Sequence, residues 1–267
     1  MAVVEFTDTE FMICSAARLL EDRKTVFVGW GMPQVVAILA ERLYTPHLVQ
    51  LFEFGAVGPQ SLTPFIRGTM GGPSNIYRSL QWINMNWAFS YAATGYIDYG
   101  MLGAAQVDQY GNLNSTFLGG TYEQPGRRFP GSGGGNEAAS FVWKTIVVLK
   151  HEARRFVEKV DFLTSPGYLD GPGARERAGL PKDTGPWRVV TSKALFGFDE
   201  KTKKMRLLGV LKGLDPKEVI QGMGFTPLMA EKLLELEPPE DAELRLLREH
   251  IDPSGIIIRG EKMRAER

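Results

Sequence analysis

Three consecutive segments near the amino terminus constrain the fold more than any other part of the sequence. The run 25-TVFVGWGMP-33 has the apolar pattern of a strand and leads into a glycine loop. Residues 33–43 then repeat apolar side chains at helical spacing, and 48-LVQLFE-53 is again apolar. Parallel strands need a crossover connection, usually a helix, so a strand, a helix and a strand in this order favour a parallel sheet.

Later segments continue this alternation and predict one α/β domain. The run 145-TIVVLK-150 has no polar alternation, as is typical of a parallel strand buried on both faces. Residues 187–191 and 204–211 are predicted as further strands, and no linker or internal repeat divides the chain. We therefore expect residues 1–267 to form a single domain with a mostly parallel open sheet flanked by helices.

The C-terminal part is predicted to be helical over about residues 226–255. Helices are expected at 226–236 and 240–250, where Leu, Glu, Ala and Lys predominate. The last residues, 260-GEKMRAER-267, are predicted to be a short flexible tail.

Composition excludes several classes of protein. Lys+Arg and Asp+Glu both number 31, and this zero net charge argues against a broad nucleic-acid or anionic-membrane surface. A single cysteine, Cys14, excludes an internal disulfide, and His47, His151 and His250 match no metal-ligand spacing. The stretch 1-MAVVEFTDTE-10 lacks the basic and apolar regions of a signal peptide, and no apolar run is long enough to span a membrane. We expect a cytoplasmic protein without a metal.

An acid at the end of an apolar run marks the first candidate site. Glu53 ends 48-LVQLFE-53 and is followed by Phe54 and Gly55. Open α/β sheets bind ligands at the carboxyl ends of their strands, and a carboxylate there can act as a general base or a covalent nucleophile. Gly55 frees the backbone to turn. On local physics alone, an equally good explanation is a solvated Glu, or one paired with an arginine such as Arg67.

Two glycine loops are the other candidates. In 28-VGWGMP-33, Gly31 lies between a strand and a helix, where a ligand can approach the backbone, but a plain tight turn explains it equally well. The run 129-FPGSGGGNEAAS-140 predicts a nest of N–H groups for an anion or an oxyanion, with a flexible surface loop as the alternative. Neither is a P-loop or a GxGxxG motif. The candidate residues of the second loop are Gly133, Gly134, Gly135 and Asn136.

These stretches, in this order, resemble family I CoA-transferases, in particular B (beta) subunits such as that of glutaconate CoA-transferase. In that family a strand ends in a nucleophilic glutamate followed by Ser or Asn and Gly, which corresponds to Glu53, Phe54 and Gly55. The resemblance covers nearly the whole chain. It is carried further by 28-VGWGMP-33, 103-GAAQVDQYGNLNST-116, 131-GSGGGN-136, 151-HEARRF-156, 164-TSPGYLDGPGARERAGLP-181, 198-FDEKTKKM-205 and 249-EHIDP-253.

The resemblance implies an enzyme that transfers CoA between an acyl-CoA and a small carboxylic acid. It places Glu53 as the nucleophile, which forms a mixed acyl anhydride and then a glutamyl-CoA thioester. The glycine-rich loop would stabilise tetrahedral oxyanions or contact the thioester. No cofactor is permanently bound, because coenzyme A is part of the substrate. A separate A (alpha) subunit of similar fold is expected to share the active site.

Phe54 departs from the family pattern and implies a more apolar or differently shaped acyl site. Some relatives hydrolyse a C–C bond in a cyclic acyl-CoA or decarboxylate an acyl-CoA, and Glu53 would then serve as a general base or an electrostatic element. The same superfold also serves sugar-phosphate-binding modules, so a non-catalytic ligand-binding module is a third hypothesis.

Overall fold

The computed structural model describes residues 5–66 and 71–259. Its helices are α1 (Asp8–Ala17), α2 (Met32–Leu43), α3 (Met85–Ala93), α4 (Gly135–Phe141), α5 (Ala174–Arg177), α6 (Pro216–Ile220) and α7 (Asp241–Arg245). Its strands are β1 (Thr25–Val28), β2 (Val49–Leu51), β3 (Ala56–Val57), β4 (Gln81–Trp82), β5 (Tyr99–Leu102), β6 (Gln106–Val107), β7 (Leu113–Asn114), β8 (Phe117–Gly120), β9 (Pro125–Arg128), β10 (Lys144–Val148), β11 (Pro186–Val190), β12 (Ala194–Phe198), β13 (Met205–Leu211) and β14 (Leu228–Leu236).

The chain forms two compact units. The first unit comprises Met1–Tyr91 and Pro238–Arg267, and the second unit comprises Ala92–Glu237. The prediction that residues 1–267 form a single domain stays a prediction.

In the first unit, the strands follow the order β1, β2, β3, β4. β1 and β2 are parallel, with Thr25 beside Val49 and Phe27 beside Leu51, and α2 connects them. This confirms the predicted strand–helix–strand unit. β2, β3 and β4 continue as an antiparallel meander. Because the sheet changes from parallel to antiparallel directly after β2, the chain must reverse at the position of Glu53.

Ion pairs join α1 to the C-terminal segment of the first unit. Thr7 caps α1: its hydroxyl accepts the Glu10 N–H, and the Glu10 carboxylate accepts the Thr7 N–H, which is a capping box. Arg248 donates to Glu10 at 2.6 Å, and Arg18 donates to Glu243 at 2.6 Å. Burial raises the pKa of Glu10, but the hydrogen bonds from Arg248 and Thr7 outweigh it, so the pKa lies below its ordinary value.

In the second unit, six strands follow the order β14, β13, β12, β11, β10, β5. β5, β10 and β11 are parallel, β12 is antiparallel to both of its neighbours, and β13 and β14 are parallel. Two small antiparallel ladders, β6–β7 and β8–β9, lie outside this sheet. Tyr99 and Met101 on β5 and Ile146 on β10 are fully buried. The predicted class, α/β with a mostly parallel open sheet and flanking helices, is confirmed.

The predicted helix at 226–236 is wrong, and with it the prediction of a wholly helical C-terminal part. This segment is strand β14, which pairs with β13 so that Leu207 lies beside Met229 and Leu211 beside Leu236. The residues are good helix formers, but a ladder of backbone hydrogen bonds to β13 outweighs a propensity of tenths of a kcal/mol per residue. Only α7 and the π-helical turn Leu246–Ile251 are helical in this part. The predicted tail, 260–267, lies outside the described residues.

Candidate active site

Glu53 lies in the tight turn that joins β2 to β3. The Phe52 N–H donates to the Ala56 carbonyl at 3.0 Å, and the Gly55 N–H donates back to the Phe52 carbonyl at 2.8 Å. These two bonds close a hairpin in which Glu53 and Phe54 are the two central residues. The Glu53 side chain is half-buried and that of Phe54 is exposed. The turn therefore presents a carboxylate directly beyond the carboxyl end of a parallel strand, as predicted.

Gly55 is required by the geometry of this turn. Its φ is +105°, and a Cβ atom at this position would lie 1.6 Å from the carbonyl oxygen of Ile83. Ile83 also donates its N–H to the Gly55 carbonyl at 2.9 Å, so the two backbones are in direct contact. Any side chain at position 55 would push the turn away from Ile83 and move Glu53 with it.

The Gly31 loop lies at the same sheet edge, because it follows β1 and β1 is parallel to β2. Gly31 has a φ of +86° and precedes the first turn of α2. Its N–H donates to Gln34 Oε1 at 2.9 Å, and Gln34 Nε2 donates to Asn75 Oδ1 at 3.0 Å. The Gly31 N–H is therefore engaged by Gln34 within the protein.

The segment 249-EHIDP-253 supports the Gly31 loop from behind. Asp252 is fully buried and accepts hydrogen bonds of 2.7–2.9 Å from the backbone N–H groups of Ile256, Ile257 and Ile258. The Ile257 side chain thereby comes within 4.0 Å of the position that a Gly31 Cβ would take. Sequence analysis identified this segment only as part of a resemblance, and the structure gives it a supporting role.

The glycine-rich loop belongs to the second unit, and its four candidate residues are not equivalent. Gly133 has a φ of +49°, and its N–H makes no hydrogen bond within the described part of the chain. No atom lies within 4 Å of the position of a Gly133 Cβ. Gly134 is buried, and the Gly135 N–H is occupied by the Ser132 carbonyl at 2.8 Å. Asn136 donates its side-chain amide to the Thr164 carbonyl at 3.0 Å. The backbone N–H of Gly133 is therefore without a hydrogen bond in the described part of the chain.

Ser115 and Thr164, which sequence analysis did not single out, hold this loop. The Gly131 N–H donates to the Ser115 carbonyl, and Ser115 Oγ donates to the Gly131 carbonyl, both at 3.0 Å. Thr164 Oγ1 accepts the Ser115 N–H at 2.9 Å, while the Thr164 carbonyl accepts from Asn136. The signal was present in the sequence, because Ser115 lies near the end of the long motif 103–116 and Thr164 begins the motif 164–181.

The rest of the motif 103–116 is structural. The Asp108 carboxylate accepts from the Tyr110 and Asn112 N–H groups and from the Asn112 side chain at 2.8–3.0 Å. Asn112 Oδ1 in turn accepts the N–H groups of Gly167 and Leu169. Burial raises the pKa of Asp108, and these hydrogen bonds oppose that rise. The motif therefore ties its own turn to the segment that begins with Thr164.

The chain is similar to proteins of known family. The family model described as Coenzyme A transferase matches residues 9–222. The B subunit of glutaconate CoA-transferase from Acidaminococcus fermentans is 38% identical over 95% of both chains. The B subunit of 3-oxoadipate CoA-transferase from Pseudomonas knackmussii is 32% identical over 91% of this chain and 92% of its own. The crystal structure of the Acidaminococcus glutaconate enzyme matches with a TM-score of 0.88 and 36% identity over 95% of this chain and 98% of that one.

In the first unit, Glu53 and Gly31 follow the ends of two adjacent parallel strands, β2 and β1. The chain belongs to the coenzyme A transferase family, and its enzyme class is CoA-transferase, as predicted. Within the described residues, no helix has the length and apolar character needed to cross a membrane.

Proposed function

We propose that this chain is the B subunit of a two-subunit acyl-CoA:carboxylate CoA-transferase and that Glu53 is its nucleophile. Full-length similarity to two proteins named as B subunits supports the subunit assignment. The observation that carries the role of Glu53 is the turn itself. Gly55 is locked against Ile83, and the chain reversal presents Glu53 directly beyond a parallel strand.

In the proposed reaction, Glu53 exchanges acyl and CoA groups through two covalent intermediates. Its carboxylate attacks the thioester carbonyl, the C–S bond breaks, and CoA thiolate leaves a mixed anhydride on Glu53. The thiolate then attacks the glutamyl carbonyl of the anhydride and expels the first carboxylic acid as its carboxylate, which leaves a glutamyl-CoA thioester. An acceptor carboxylate reverses both steps and leaves as the new acyl-CoA.

Each tetrahedral intermediate carries an oxyanion that needs a donor. Gly133 is the proposed donor, because its backbone N–H is open and its left-handed conformation suits an anion-binding nest. Loss of one such donor typically lowers the rate about 10²- to 10³-fold. Phe54, Gly31, Gly134, Gly135 and Asn136 remain proposed residues of the substrate site, with Gly31 and Gly135 contributing shape.

The test is the intact mass of the chain, co-expressed with a candidate A-type subunit and incubated with acyl-CoAs. This chain of the parent complex should gain the mass of one CoA less one water, because the net formation of a thioester from a carboxyl group and a thiol removes water. Hydroxylamine, which cleaves thioesters, should remove the added CoA. Glu53→Gln should show no gain. Glu231→Gln, an exposed glutamate on β14, is the matched control and should behave as the parent. An adduct that persists in Glu53→Gln contradicts the assignment of the nucleophile.

Phe54 keeps a second function under consideration, since the family pattern has Ser or Asn there. In that function Glu53 acts as a general base for C–C hydrolysis or decarboxylation of an acyl-CoA. The same experiment separates the two, because an acyl-CoA that is consumed without any covalent adduct supports the second. Binding of acyl-CoA without turnover in the assembled complex would support a ligand-binding module.

A further inference from the structure

The second unit contains a cleft that has no part in the candidate active site. Its volume is about 620 Å³, within the range of about 300–1,000 Å³ that is common for small-molecule sites. Three aromatic side chains line it, Tyr168, Trp187 and Phe198. One side is formed by the motif 198-FDEKTKKM-205, to which no role is given above. We call this cavity the Trp187 cleft.

The Trp187 cleft and the glycine-rich loop lie at opposite edges of the sheet in this unit. A Cβ on Gly135 would lie 3.6 Å from Leu102 Cδ2, so the glycine-rich loop is at the carboxyl end of β5. β5, β10 and β11 are parallel, so their carboxyl ends share that edge. Pro186 and Trp187, which line the cleft, are the first two residues of β11. The cleft is therefore separate from the glycine-rich loop.

The charged residues that line the cleft carry two more positive than negative charges. They are Arg188, Lys201, Lys203 and Arg206 against Asp199 and Glu200. Asp199 forms an ion pair with Arg206, and it also accepts the Thr202 N–H at 2.7 Å. The carboxylate of Asp199 is therefore already engaged by its own turn and by Arg206.

Arg188 is a half-buried cation that pairs with no carboxylate in residues 5–66 and 71–259. Its Nη1 donates to the Trp187 carbonyl at 2.9 Å, and its guanidinium lies 4.2 Å from the centroid of the Trp187 ring. Gly197 makes room for it, because a Cβ there would lie 3.2 Å from Arg188 Nη1. Burial lowers the pKa of Arg188. A half-buried charge without a counterion is costly, and a bound anion would remove that cost.

Lys203 brings a second cation to the cleft. It is half-buried, and its Nζ lies 5.1 Å from the centroid of the Tyr168 ring. No carboxylate in the described part of the chain forms an ion pair with it. The Tyr168 hydroxyl donates to the Pro186 carbonyl at 3.0 Å, which fixes this ring to the strand that carries Arg188. Both cations therefore line the cleft on an aromatic support that is held in place.

The charges and the rings together select a class of ligand. Two cations without carboxylates match a dianion, and a phosphate monoester carries about −1.5 to −2 charges at pH 7, whereas a carboxylate carries a single one. The guanidinium fork of arginine fits phosphate bidentately. Aromatic side chains pack well against another flat ring. A phosphate monoester joined to a planar ring therefore satisfies both features of the cleft.

We propose that the Trp187 cleft binds a nucleoside monophosphate, with the phosphate at Arg188 and Lys203 and the base against the aromatic side chains. Such a site goes beyond the reaction proposed at Glu53 and is independent of it.

The test is isothermal titration calorimetry of the 267-residue chain with AMP, adenosine and inorganic phosphate. AMP should bind at least about 10-fold more tightly than either of the others, because it alone engages both the cations and the rings. A Kd for AMP above about 10 mM overturns the proposal. Adenosine that binds as tightly as AMP overturns the role of the cations, and phosphate that binds as tightly as AMP overturns the role of the rings.

Matched variants locate the binding. Arg188→Gln should weaken AMP binding about 10- to 100-fold, and Lys203→Gln about 3- to 10-fold, because each removes a charged hydrogen-bond donor. Lys204→Gln is the control and should bind as the parent does, since Lys204 is exposed and does not line the cleft. If Arg188→Gln and Lys203→Gln both bind AMP as the parent does, AMP occupies another site and the proposal is wrong.

A conservative variant separates the loss of a contact from the loss of the fold. Arg188→Lys keeps the charge but not the bidentate fork, so its affinity for AMP should lie between those of the parent and Arg188→Gln. Thermal unfolding without AMP should show the same midpoint for the variants and the parent. If Arg188→Gln does not fold, Arg188→Lys and Lys203→Gln decide, and parent-like affinity in both contradicts the assignment.

Discussion

Replacing Gly55 by alanine is the sharpest structural test of the Glu53 turn. The new Cβ would lie 1.6 Å from the Ile83 oxygen, whereas a carbon–oxygen contact needs about 3.3 Å, so the two backbones must separate by more than about 1.5 Å. Alanine at a φ of +105° adds strain of about 1–2 kcal/mol. Loss of the Ile83–Gly55 hydrogen bond adds about 1 kcal/mol. We expect a destabilisation of about 3 kcal/mol, which is a substantial part of the typical 5–15 kcal/mol.

The effect on chemistry should exceed the effect on stability. A displacement of about 1 Å at a reacting group can cost about 10²-fold in rate, so the rate of CoA adduct formation should fall by at least that factor. Urea unfolding measures the stability change, and time-resolved intact mass measures the adduct. Gly213→Ala is the matched control, because Gly213 has a φ of +89° and no atom lies within 4 Å of its Cβ position. If Gly55→Ala forms the adduct as fast as Gly213→Ala, the turn does not position Glu53.

Three further changes test the supports of the two units. Glu10→Gln should lower the free energy of unfolding in urea by about 2–3 kcal/mol, because Arg248 loses the carboxylate with which it forms an ion pair. A loss below about 0.5 kcal/mol would show that the ion pair does not stabilise the protein. The pKa of Glu10 is lowered in the folded protein. The stability that Glu10 contributes is therefore present above the ordinary carboxyl pKa and is lost as pH falls through the folded pKa. In a plot of stability against pH, Glu10→Gln should show a smaller fall at acidic pH. Asp252→Asn should lower the free energy of unfolding by about 2 kcal/mol, because a neutral amide accepts three N–H groups less well than a carboxylate. If both stability and adduct formation are unchanged in this variant, Asp252 does not support the Gly31 loop. Burial lowers the pKa of His151, so stability should rise with pH from the folded pKa up to about 6.5, and His151→Phe should remove this slope.

Part of the site was predictable because its signals are local. A strand, a helix and a strand in sequence predict parallel pairing, and an acid followed by glycine at the second strand's end predicts a turn that presents the acid. Gly55 and Gly31 both have a positive φ, which was expected of glycine in such loops. The contact of Gly55 with Ile83 was not predictable, because the two residues are 28 positions apart.

The status of the individual N–H groups could not be predicted for the same reason. Gly133 and Gly135 are equivalent in sequence, but a 2.8 Å bond to Ser132 engages Gly135 and leaves Gly133 open. The Gly31 N–H is engaged by Gln34, a residue that sequence analysis did not single out. Whether a backbone donor is available to a ligand depends on the competing acceptors around it, and the sequence does not show their positions.

By itself, the sequence determined the α/β class, the strand–helix–strand unit around Glu53 and the positions where only glycine permits the turn, because hydrophobic periodicity and φ preference act over a few residues. The tertiary structure decided that 228–236 is a strand, that Asp252 supports the Gly31 loop, and that Ser115 and Thr164 hold the glycine-rich loop. The strand and the hold on the glycine-rich loop depend on hydrogen bonds to another segment of the chain, and the support of the Gly31 loop depends on the approach of Ile257, a residue distant in sequence. Such bonds outweigh local propensity, since a buried N–H or carbonyl left without a partner costs about 1–3 kcal/mol, while propensities differ by tenths.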